Sequence, residues 1–533
     1  MDDVLDDIIL AIHNNLPQYN EDMLKRYTER EVNNSPDVVE LIFKQALLQF
    51  DGQIQFIEKR ILSPEERVAF ELQTDSKSKQ PARAGVIVVV SEWVLVRYMF
   101  RFDHKDYVVH LYLPYIKDDA ITIRGTRYNV LRTITERVFS PTMDGVSIKL
   151  IRQPIRFHQE KQHKFISILD PNDVYYDWVI TTDLYRKNQR SVAQRLPIKT
   201  TVLLYLLCKF GWYKTLNMLE LNPNDFQIVD KVGNDILEYD YFLAKKKTKQ
   251  TEMYLKVRRE HLRSGVIDIQ AIRGKKFVAN YLYIAQQFDR FEPKQLMTDD
   301  TNAYRIMWGR ITHGGSGNEP QVKSHADTHI DSLDTYLDPN AKARLHKMDI
   351  RVEDIYDLLR YVFIELDRMT ANAKHSNLYP RRLDIMQSIL INQIGTIIFR
   401  NFYNTKRDAK TLTDRDVNSL FRIRPDLIAR IYDEKNISTD SDVYGDNWLL
   451  SSGSGKIRSS GLGTKRITPS APEHRMHPSI MVVETAISFT GKSPGITGDI
   501  NPFLQIDADG NIAKDRMEYA KDIDEILLYL QPK

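Results

Sequence analysis

The stretch from Ser451 to Phe503 reads SSGSGKIRSSGLGTKRITPSAPEHRMHPSIMVVETAISFTGKSPGITGDINPF, and it decides how the rest of the chain is interpreted. Its first part is rich in glycine and serine and carries four cations with no acidic residue among them: Lys456, Arg458, Lys465 and Arg466. Glycine lets a backbone approach a partner closely, and cationic side chains neutralise phosphates and release their counterions. A flexible basic linker has the same composition, but linkers rarely continue into an apolar run such as Ile480–Val483.

The order of motifs after the basic run narrows the interpretation. The run GKIRSSGLGTKR is followed by HPS at 477–479 and by SPGITGDINPF at 493–503. Together these motifs resemble the fork region of the β subunit of multisubunit DNA-dependent RNA polymerases. The positions that match the family pattern are Lys456, Arg458, Ser460, Leu462, Gly463, Arg466, His477, Pro478, Pro494, Gly495, Ile500 and Asn501.

In that family the fork region lies beside the active centre, against the RNA–DNA hybrid and the downstream fork, and it binds rifamycins. The resemblance therefore implies nucleic-acid-binding roles for Lys456, Arg458, Ser460, Lys465, Arg466, Arg475 and Lys492. The family's Glu-Thr-Pro-Glu-Gly loop appears here only as the segment 490–495, and Gly455 replaces the histidine before the basic run. We therefore expect insensitivity to rifamycins.

Two earlier segments extend the resemblance in the same order along the chain. Residues 121–145, ITIRGTRYNVLRTITERVFSPTMDG, resemble a strand, turn and helix of the family's protrusion domain. Residues 375–402, HSNLYPRRLDIMQSILINQIGTIIFRNF, resemble the segment and long helix by which the family's chain returns from the lobe domain to the protrusion. The matching positions are Ile123, Gly125, Thr126, Ser140 and Pro141 in the first segment, and Asn377, Leu378, Arg381 and Arg382 in the second.

The adjacent arginines of the second segment are further candidates for nucleic-acid contact. At a predicted helix start, Arg381 and Arg382 would oppose the helix dipole, so an anionic partner nearby is one interpretation. Surface salt bridges, or a purely structural role, are the alternatives.

The resemblance implies an α+β, multidomain fold with protrusion-like and lobe-like domains and a fork region. The expected boundaries are 1–150 for the first part of the protrusion, 151–372 for the lobe, 373–440 for the return segment that completes the protrusion, and 441–533 for the fork and a C-terminal helix. Local patterns agree with mixed structure. Val94–Phe102 and Tyr107–Leu113 alternate as strands do, whereas Thr200–Leu219 and Val352–Thr370 have the apolar content and spacing of helices.

Composition excludes several classes of protein. The 533 residues are 42% hydrophobic and 28% charged, as in ordinary globular proteins. A single cysteine, Cys208, excludes an internal disulfide framework and fits a reducing compartment. The acidic N-terminus does not resemble a signal peptide, and no apolar run approaches the ~18 residues of a membrane span. We therefore expect no membrane partner. The net charge of +3 is too small to identify a nucleic-acid binder by itself.

One group of potential metal ligands keeps a second function open, a metal-dependent hydrolase. His325, Asp327, His329 and Asp331 would share one face of a strand, and such ligands suit zinc or manganese. On a helix, His325 and His329 would share a face but Asp327 would not join them. A relaxed phosphate-loop pattern at 486–493 is rejected, because Pro494 follows directly where the loop needs a helix start.

Two basic runs in the expected lobe, Lys245–Lys249 and Lys256–Arg263, allow two interpretations. One is a solvated face of a hairpin, which is the usual explanation of a charge run. The other, which follows from the resemblance, is a wall that faces downstream DNA.

The sequence contains no candidate catalytic residue. The polymerase family's magnesium-binding signature, Asn-Ala-Asp-Phe-Asp-Gly-Asp, belongs to the β′ subunit and does not occur here. We therefore expect a subunit of a nucleotidyltransferase that is inactive alone, with Mg²⁺ bound by a partner chain.

The chain stops after the fork region, which resembles the N-terminal part of a β subunit split into two chains, as in giant bacteriophages. The expected partners are the C-terminal part of β, the split β′ subunits, template DNA and nascent RNA, while the need for a promoter-specificity subunit stays open. The expected location is the cytoplasm of the infected bacterial host, with packaging in the virion as an open alternative. The rival to the polymerase is a stand-alone or virion structural nucleic-acid-binding protein.

Overall fold

The computed structural model describes residues 27–77, 93–116, 120–123, 126–130, 132–142, 144–187, 196–247, 251–262, 269–286, 297–313, 318–371, 378–385, 390–408, 411–428, 438–440, 456–457, 479–483, 498–501 and 503–517. In this part of the chain the helices are α1 (Tyr27–Asn33), α2 (Ser35–Leu47), α3 (Pro64–Lys77), α4 (Val202–Met218), α5 (Ile269–Gln286), α6 (Asn302–His313), α7 (Glu319–Ser332), α8 (Pro339–Lys347), α9 (Ile355–Ala371), α10 (Thr396–Asp408), α11 (Asp414–Leu420) and α12 (Ser479–Val483).

The strands of the same residues form five sheets. They are β1 (Gln55–Ile61), β2 (Trp93–Phe102), β3 (Lys105–Pro114), β4 (Ala120–Ile123), β5 (Thr126–Val130), β6 (Thr133–Glu136), β7 (Phe139–Thr142), β8 (Gly145–Lys149), β9 (Pro154–Ile166), β10 (Val174–Lys187), β11 (Leu196–Thr201), β12 (Phe226–Val229), β13 (Tyr239–Lys247), β14 (Thr251–Arg258), β15 (Arg381–Asp384), β16 (Ser438–Asp440), β17 (Lys456–Ile457) and β18 (Gly498–Asp499).

The chain divides into two compact units, one of which interrupts the other. Unit 1 comprises 1–137, 151–153 and 374–533, and unit 2 comprises 138–150 and 154–373. The chain thus leaves unit 1, builds unit 2 and returns. The expected boundaries lay at 150/151 and 372/373, but the identification of these units with a protrusion and a lobe stays a prediction.

The core of unit 1 forms between helix α2 and the sheet β1-β2-β3. Pro36 at the start of α2 fits the first turn of a helix, where its missing N–H is no loss. The apolar face of α2 is buried, and the Phe43 ring lies 5.4 Å from Tyr98 and 4.9 Å from Phe100 of β2. The strands expected at Val94–Phe102 and Tyr107–Leu113 are confirmed as β2 and β3.

Two smaller sheets of unit 1 correct two helix expectations. Residues 121–145 were expected to contain a helix, but the described residues there form strands in the sheets β16-β5-β4, β15-β6-β17-β18 and, in unit 2, β7-β8. Arg381 and Arg382 were expected at a helix start, but they begin the strand β15, which pairs antiparallel with β6. Pairing with a distant strand, and not local helix propensity, decides these conformations.

Unit 2 is built on the five-stranded sheet β11-β10-β9-β8-β7 and the three-stranded sheet β12-β14-β13. Helix α4 is buried on nearly all sides, as its apolar sequence predicts, and Cys208 lies within it, fully buried. Helix α4 kinks at Gly211, where φ is 77°, and the segment at Asp299 packs so closely that a Cβ at Gly211 would lie 2.4 Å from Asp299 Cα. Carboxylate Oδ1 of Asp299 accepts hydrogen bonds from Tyr213 N and Lys214 N and so caps the helix after the kink.

Two further helices agree with their sequence patterns. Helix α9 confirms the expected helix at Val352–Thr370, and Thr413 forms a reciprocal capping box with Asp416 at the start of α11. The expected C-terminal helix lies largely outside the described residues, and the structure shows a 3-10 turn at Lys514–Arg516. In the part of the chain that the structure describes, no helix is both long and apolar enough to cross a membrane.

Candidate nucleic-acid interface

The sheet β15-β6-β17-β18 collects the chain segments that the sequence singled out. Strand β17 runs parallel to β6, with Lys456 beside Thr133, and antiparallel to β18, with Lys456 beside Asp499. Strands β17 and β18, which lie near the two ends of the basic segment (456–499), are therefore neighbours in one sheet of unit 1. Of the proposed contact residues in the basic segment, the structure describes only the backbone of Lys456. Arg458, Ser460, Lys465, Arg466, Arg475 and Lys492 lie outside the described residues, and their roles stay predictions.

Polar contacts fix the described parts of this segment to the rest of unit 1. Ser479 Oγ is buried and accepts a hydrogen bond of 2.8 Å from Leu378 N. Asn501 Nδ2 donates to the carbonyl of Val482 at 3.0 Å, and its Oδ1 accepts from Phe503 N at 3.0 Å. Leu378 and Asn501 are both positions that carry the family resemblance, and here each ties distant segments together.

Arg382 is held inside unit 1. Its side chain is 7% exposed, and Nε and Nη2 make no hydrogen bond to any residue that the structure describes. Burial disfavours its charge, but the neighbouring Tyr27, Asp384 and Glu31 outweigh burial and raise the pKa of Arg382 above its usual value. Burial in turn raises the pKa of Tyr27 to about 12. These contacts favour a structural role for Arg382, while nucleic-acid contact stays a prediction.

Arg381 differs from its neighbour because side chains alternate across a strand. Its side chain is partly exposed, and its carbonyl accepts hydrogen bonds from Ile512 N at 3.3 Å and Arg137 Nε at 3.4 Å. Arg381 thus has a partly exposed side chain on strand β15, and its contact with a nucleic acid stays a prediction.

Two arginines that the sequence did not single out lie at the same sheet. Arg132 is 5% exposed and donates from Nε to Thr28 Oγ1 at 3.0 Å. Arg137 donates from Nη2 to the carbonyl of Tyr379 at 3.4 Å, and burial lowers the pKa of Arg137 although Asp507 acts in the opposite direction. Both arginines belong to the segment 121–145, which resembles the polymerase family. Their common location depends on contacts between residues far apart in the chain, so the sequence alone does not reveal it.

Three cations in the described part of the run 256–263 form ion pairs within unit 2. Lys256 pairs with Asp235, Arg258 lies 3.6 Å from Asp225, and Arg259 lies 3.4 Å from the buried Asp240. The described cations of the run 256–263 therefore fit an ion-paired face. They do not form a free electropositive wall.

The histidine and aspartate group of 325–331 lies on helix α7, and the expectation of a strand is wrong. The helical alternative is confirmed, since His325 and His329 both stack against Trp308, with ring centroids 5.8 and 4.7 Å away. On the neighbouring face, Arg305 lies 2.9 Å from Asp327 and 3.2 Å from Asp331. These side chains pack an aromatic cluster and an ion pair, so the group does not converge on one metal position.

Comparison with known proteins gives one result. No curated protein matches the chain. The family model described as non-virion RNA polymerase subunit matches residues 1–528, which is nearly the whole chain of 533 residues. The chain belongs to the family of non-virion RNA polymerase subunits.

Proposed function

We propose that this chain is the N-terminal part of a split β subunit, in which unit 2 corresponds to the lobe and unit 1 to the protrusion and fork. As a member of an RNA polymerase subunit family, the chain works with other polymerase subunits in a nucleotidyltransferase complex. In the proposed arrangement, the chain forms one jaw of the DNA cleft. It lines the RNA–DNA hybrid and the downstream fork.

One observation carries this assignment. The three segments that resemble the β subunit, at 121–145, 375–402 and 451–503, contribute neighbouring strands to the sheet β15-β6-β17-β18. Between the first and second segments, the chain builds unit 2 and comes back. Segments that match one family in sequence order, and that also meet in space, are better explained by a common fold than by separate chance matches.

The contact residues act through charge. Lys456, Arg458, Lys465 and Arg466 hold the RNA or template backbone near the RNA 3′ end, and Arg475 and Lys492 line the fork or the downstream duplex. Phosphate contacts of this kind position a nucleic acid without reading its sequence. Ser460 and Arg381 contribute at the margins of the same surface.

The catalytic Mg²⁺ belongs to a partner chain in this proposal. Two-metal nucleotidyl transfer needs clustered carboxylates, and the basic segment contains none between Ser451 and Arg466. The partners are the C-terminal part of β and the split β′ chains, together with template DNA and nascent RNA. We propose that the complex is insensitive to rifamycins and works in the cytoplasm of an infected bacterium. The family description, non-virion, favours synthesis during infection over packaging.

The first test is purification of the tagged chain from its native source in mild salt, followed by mass spectrometry of what accompanies it. We expect roughly equimolar chains, one with the Asp-x-Asp-x-Asp signature and one that resembles the remainder of β. A single species that binds DNA by itself would overturn the assignment and favour the stand-alone nucleic-acid-binding protein.

A second test places the basic segment in the transcribing complex. A photo-cross-linking residue at position 458 should label the RNA near its 3′ end or the template. The same residue at position 164, an exposed lysine of β9 in unit 2, should not label the RNA 3′ end. Equal labelling from both positions would contradict the proposed location of the segment.

A further inference from the structure

Three potential metal ligands of unit 2 converge at one end of the sheet β12-β14-β13. His261 Nε2 lies 3.0 Å from Asp225 Oδ2 and 3.9 Å from Glu260 Oε1. Among the described residues, one oxygen or nitrogen atom of each of the three lies within 4.8 Å of the others. Such a spacing requires only small side-chain movements for all three to reach a common cation at metal–ligand distances of ~2.0–2.2 Å.

The sheet and a neighbouring helix fix this position. Asp225 directly precedes β12 and Arg258 ends β14, and the register pairs Phe226 with Val257, so the chain ends of both strands are adjacent. Helix α5 packs closely against His261. A Cβ at Gly274 of this helix would lie 2.6 Å from both the Cβ and the carbonyl oxygen of His261. Asp225 and His261 are each 4% exposed, whereas the Glu260 side chain is 57% exposed. Two ligands are therefore preformed and the third closes the site from solvent.

We propose that Asp225, Glu260 and His261 bind a divalent transition-metal cation, Zn²⁺ or Mn²⁺, that fastens the turn before β12 to the turn after β14. One imidazole nitrogen with two carboxylates is a donor set for these ions, with the remaining positions open to water. Mg²⁺ is disfavoured, because it prefers oxygen ligands in strict octahedral geometry. All three residues belong to unit 2.

The Arg258 guanidinium competes with the proposed metal for the carboxylates of Asp225 and Glu260. Its Nη1 lies 3.6 Å from Asp225 Oδ1 and 3.6 Å from Glu260 Oε1. The side chain is 43% exposed and can turn into solvent when a cation arrives. In the metal-free chain the guanidinium keeps the two carboxylates together, and on binding it repels the incoming charge.

The test uses the full chain after treatment with a chelator. Calorimetric titration with Zn²⁺, Mn²⁺ and Mg²⁺ should show about one equivalent of Zn²⁺ or Mn²⁺ bound, and thermal unfolding should shift upward with the metal. Glu260→Gln removes an exposed ligand without disturbing the fold, and it should weaken Zn²⁺ binding by about tenfold or more. Arg258→Gln removes the competing charge and should tighten binding by about tenfold.

Glu65→Gln is the matched control, because Glu65 is also an exposed carboxylate but belongs to α3 of unit 1. It should leave the affinity for Zn²⁺ unchanged. Absence of saturable binding to the wild-type chain would overturn the proposal. So would equal affinities of wild type, Glu260→Gln and Arg258→Gln, because these three residues would then form only an ion-paired network.

Discussion

A half-buried carboxyl group on strand β10 shows how one residue sets a pH dependence. Asp177 Oδ1 accepts a hydrogen bond of 2.7 Å from Trp178 N. Burial raises the pKa of Asp177 to about 6, although the Lys276 ammonium acts in the opposite direction. Because the folded pKa lies above the ordinary value of 3.8, the ionised carboxylate is less favourable in the folded chain than in the unfolded chain.

Replacement of this carboxyl group should stabilise unit 2 at neutral pH. In the wild type, this residue's contribution to the free energy of unfolding falls as pH rises from about 4 to about 6, since the folded state binds more protons over that window. Asp177→Asn keeps the acceptor for Trp178 N and has no charge. We expect it to raise the free energy of unfolding by about 1–3 kcal/mol at pH 7.5.

The pH dependence separates this explanation from a general packing effect. Melting temperatures of wild type and Asp177→Asn should converge as pH is lowered towards 4. Asp170→Asn, at an exposed aspartate of the adjoining turn, serves as the control and should not stabilise at pH 7.5. A benefit of Asp177→Asn that is equally large at pH 4.5 and 7.5 would rule out the ionisation argument.

Arg458 tests the positioning role proposed for the basic segment. Arg458→Ala in the assembled polymerase should weaken the transcription complex on every template and reduce the slope of log affinity against log salt by about 1. Lys164→Ala, which removes an exposed cation of β9, should leave that slope unchanged. A defect confined to particular promoters would show that Arg458 reads sequence and does not simply hold the backbone.

At the scale of elements, the turn before residue 511 holds strand β15 of unit 1 in place. The Gly510 carbonyl accepts a hydrogen bond of 2.7 Å from Leu383 N, and the Tyr27 hydroxyl donates to the Leu383 carbonyl at 3.1 Å. Gly510 has a φ of +79°, and a Cβ there would lie 2.0 Å from the Tyr27 hydroxyl oxygen. Strand β15, helix α1 and this turn therefore share one contact that only glycine permits.

Gly510→Ala should destabilise unit 1 by about 2–4 kcal/mol, from the positive φ and the collision with Tyr27 together. Thermal unfolding of the full chain measures the loss. Gly52→Ala isolates the backbone contribution, because Gly52 has a φ of +80° and nothing lies within 4 Å of its Cβ position. That control should cost about 1 kcal/mol. Equal losses in the two variants would show that the contact with Tyr27 has no role.

Elements with a strong local pattern were predictable from the sequence, and elements fixed by distant pairing were not. The alternation at β2 and β3 and the apolar face of α9 determine those structures locally. The sequence Arg-Arg-Leu-Asp has no comparable pattern, and β15 exists because residues 133–136, far away in the chain, supply its partner. The same cause explains why the helix expected within 121–145 was wrong.

The candidate interface was predictable only in part for a related reason. Composition identifies cations, but it does not tell whether a cation is exposed, so Arg381 and Arg382 looked equivalent although one is partly exposed and the other is buried. Likewise, His325 and Asp327 looked like ligands until Trp308 and Arg305 were found beside them. The Asp225, Glu260 and His261 group had no sequence motif, because its members are joined only by the pairing of β12 with β14.

At the scale of the whole molecule, the proposed role predicts a chain that is inactive by itself. The purified chain should synthesise no RNA with template, nucleotides and Mg²⁺, because the catalytic carboxylates belong to a partner. Addition of the co-purifying chains should restore synthesis, and removal of Mg²⁺ should abolish it. RNA synthesis by the isolated chain, free of partners by mass spectrometry, would contradict this division of roles.

The interrupted course of unit 1 has a consequence for biosynthesis. Strand β6 is made early, but its partners β15 and β17 lie between residues 381 and 457, so they leave the ribosome hundreds of residues later. All of unit 2, at 138–150 and 154–373, emerges in between and can fold while the first part of unit 1 still has unpaired strand edges. Such edges invite association with other chains. We therefore expect folding of the newly made chain to require chaperones, or slow translation beyond residue 373.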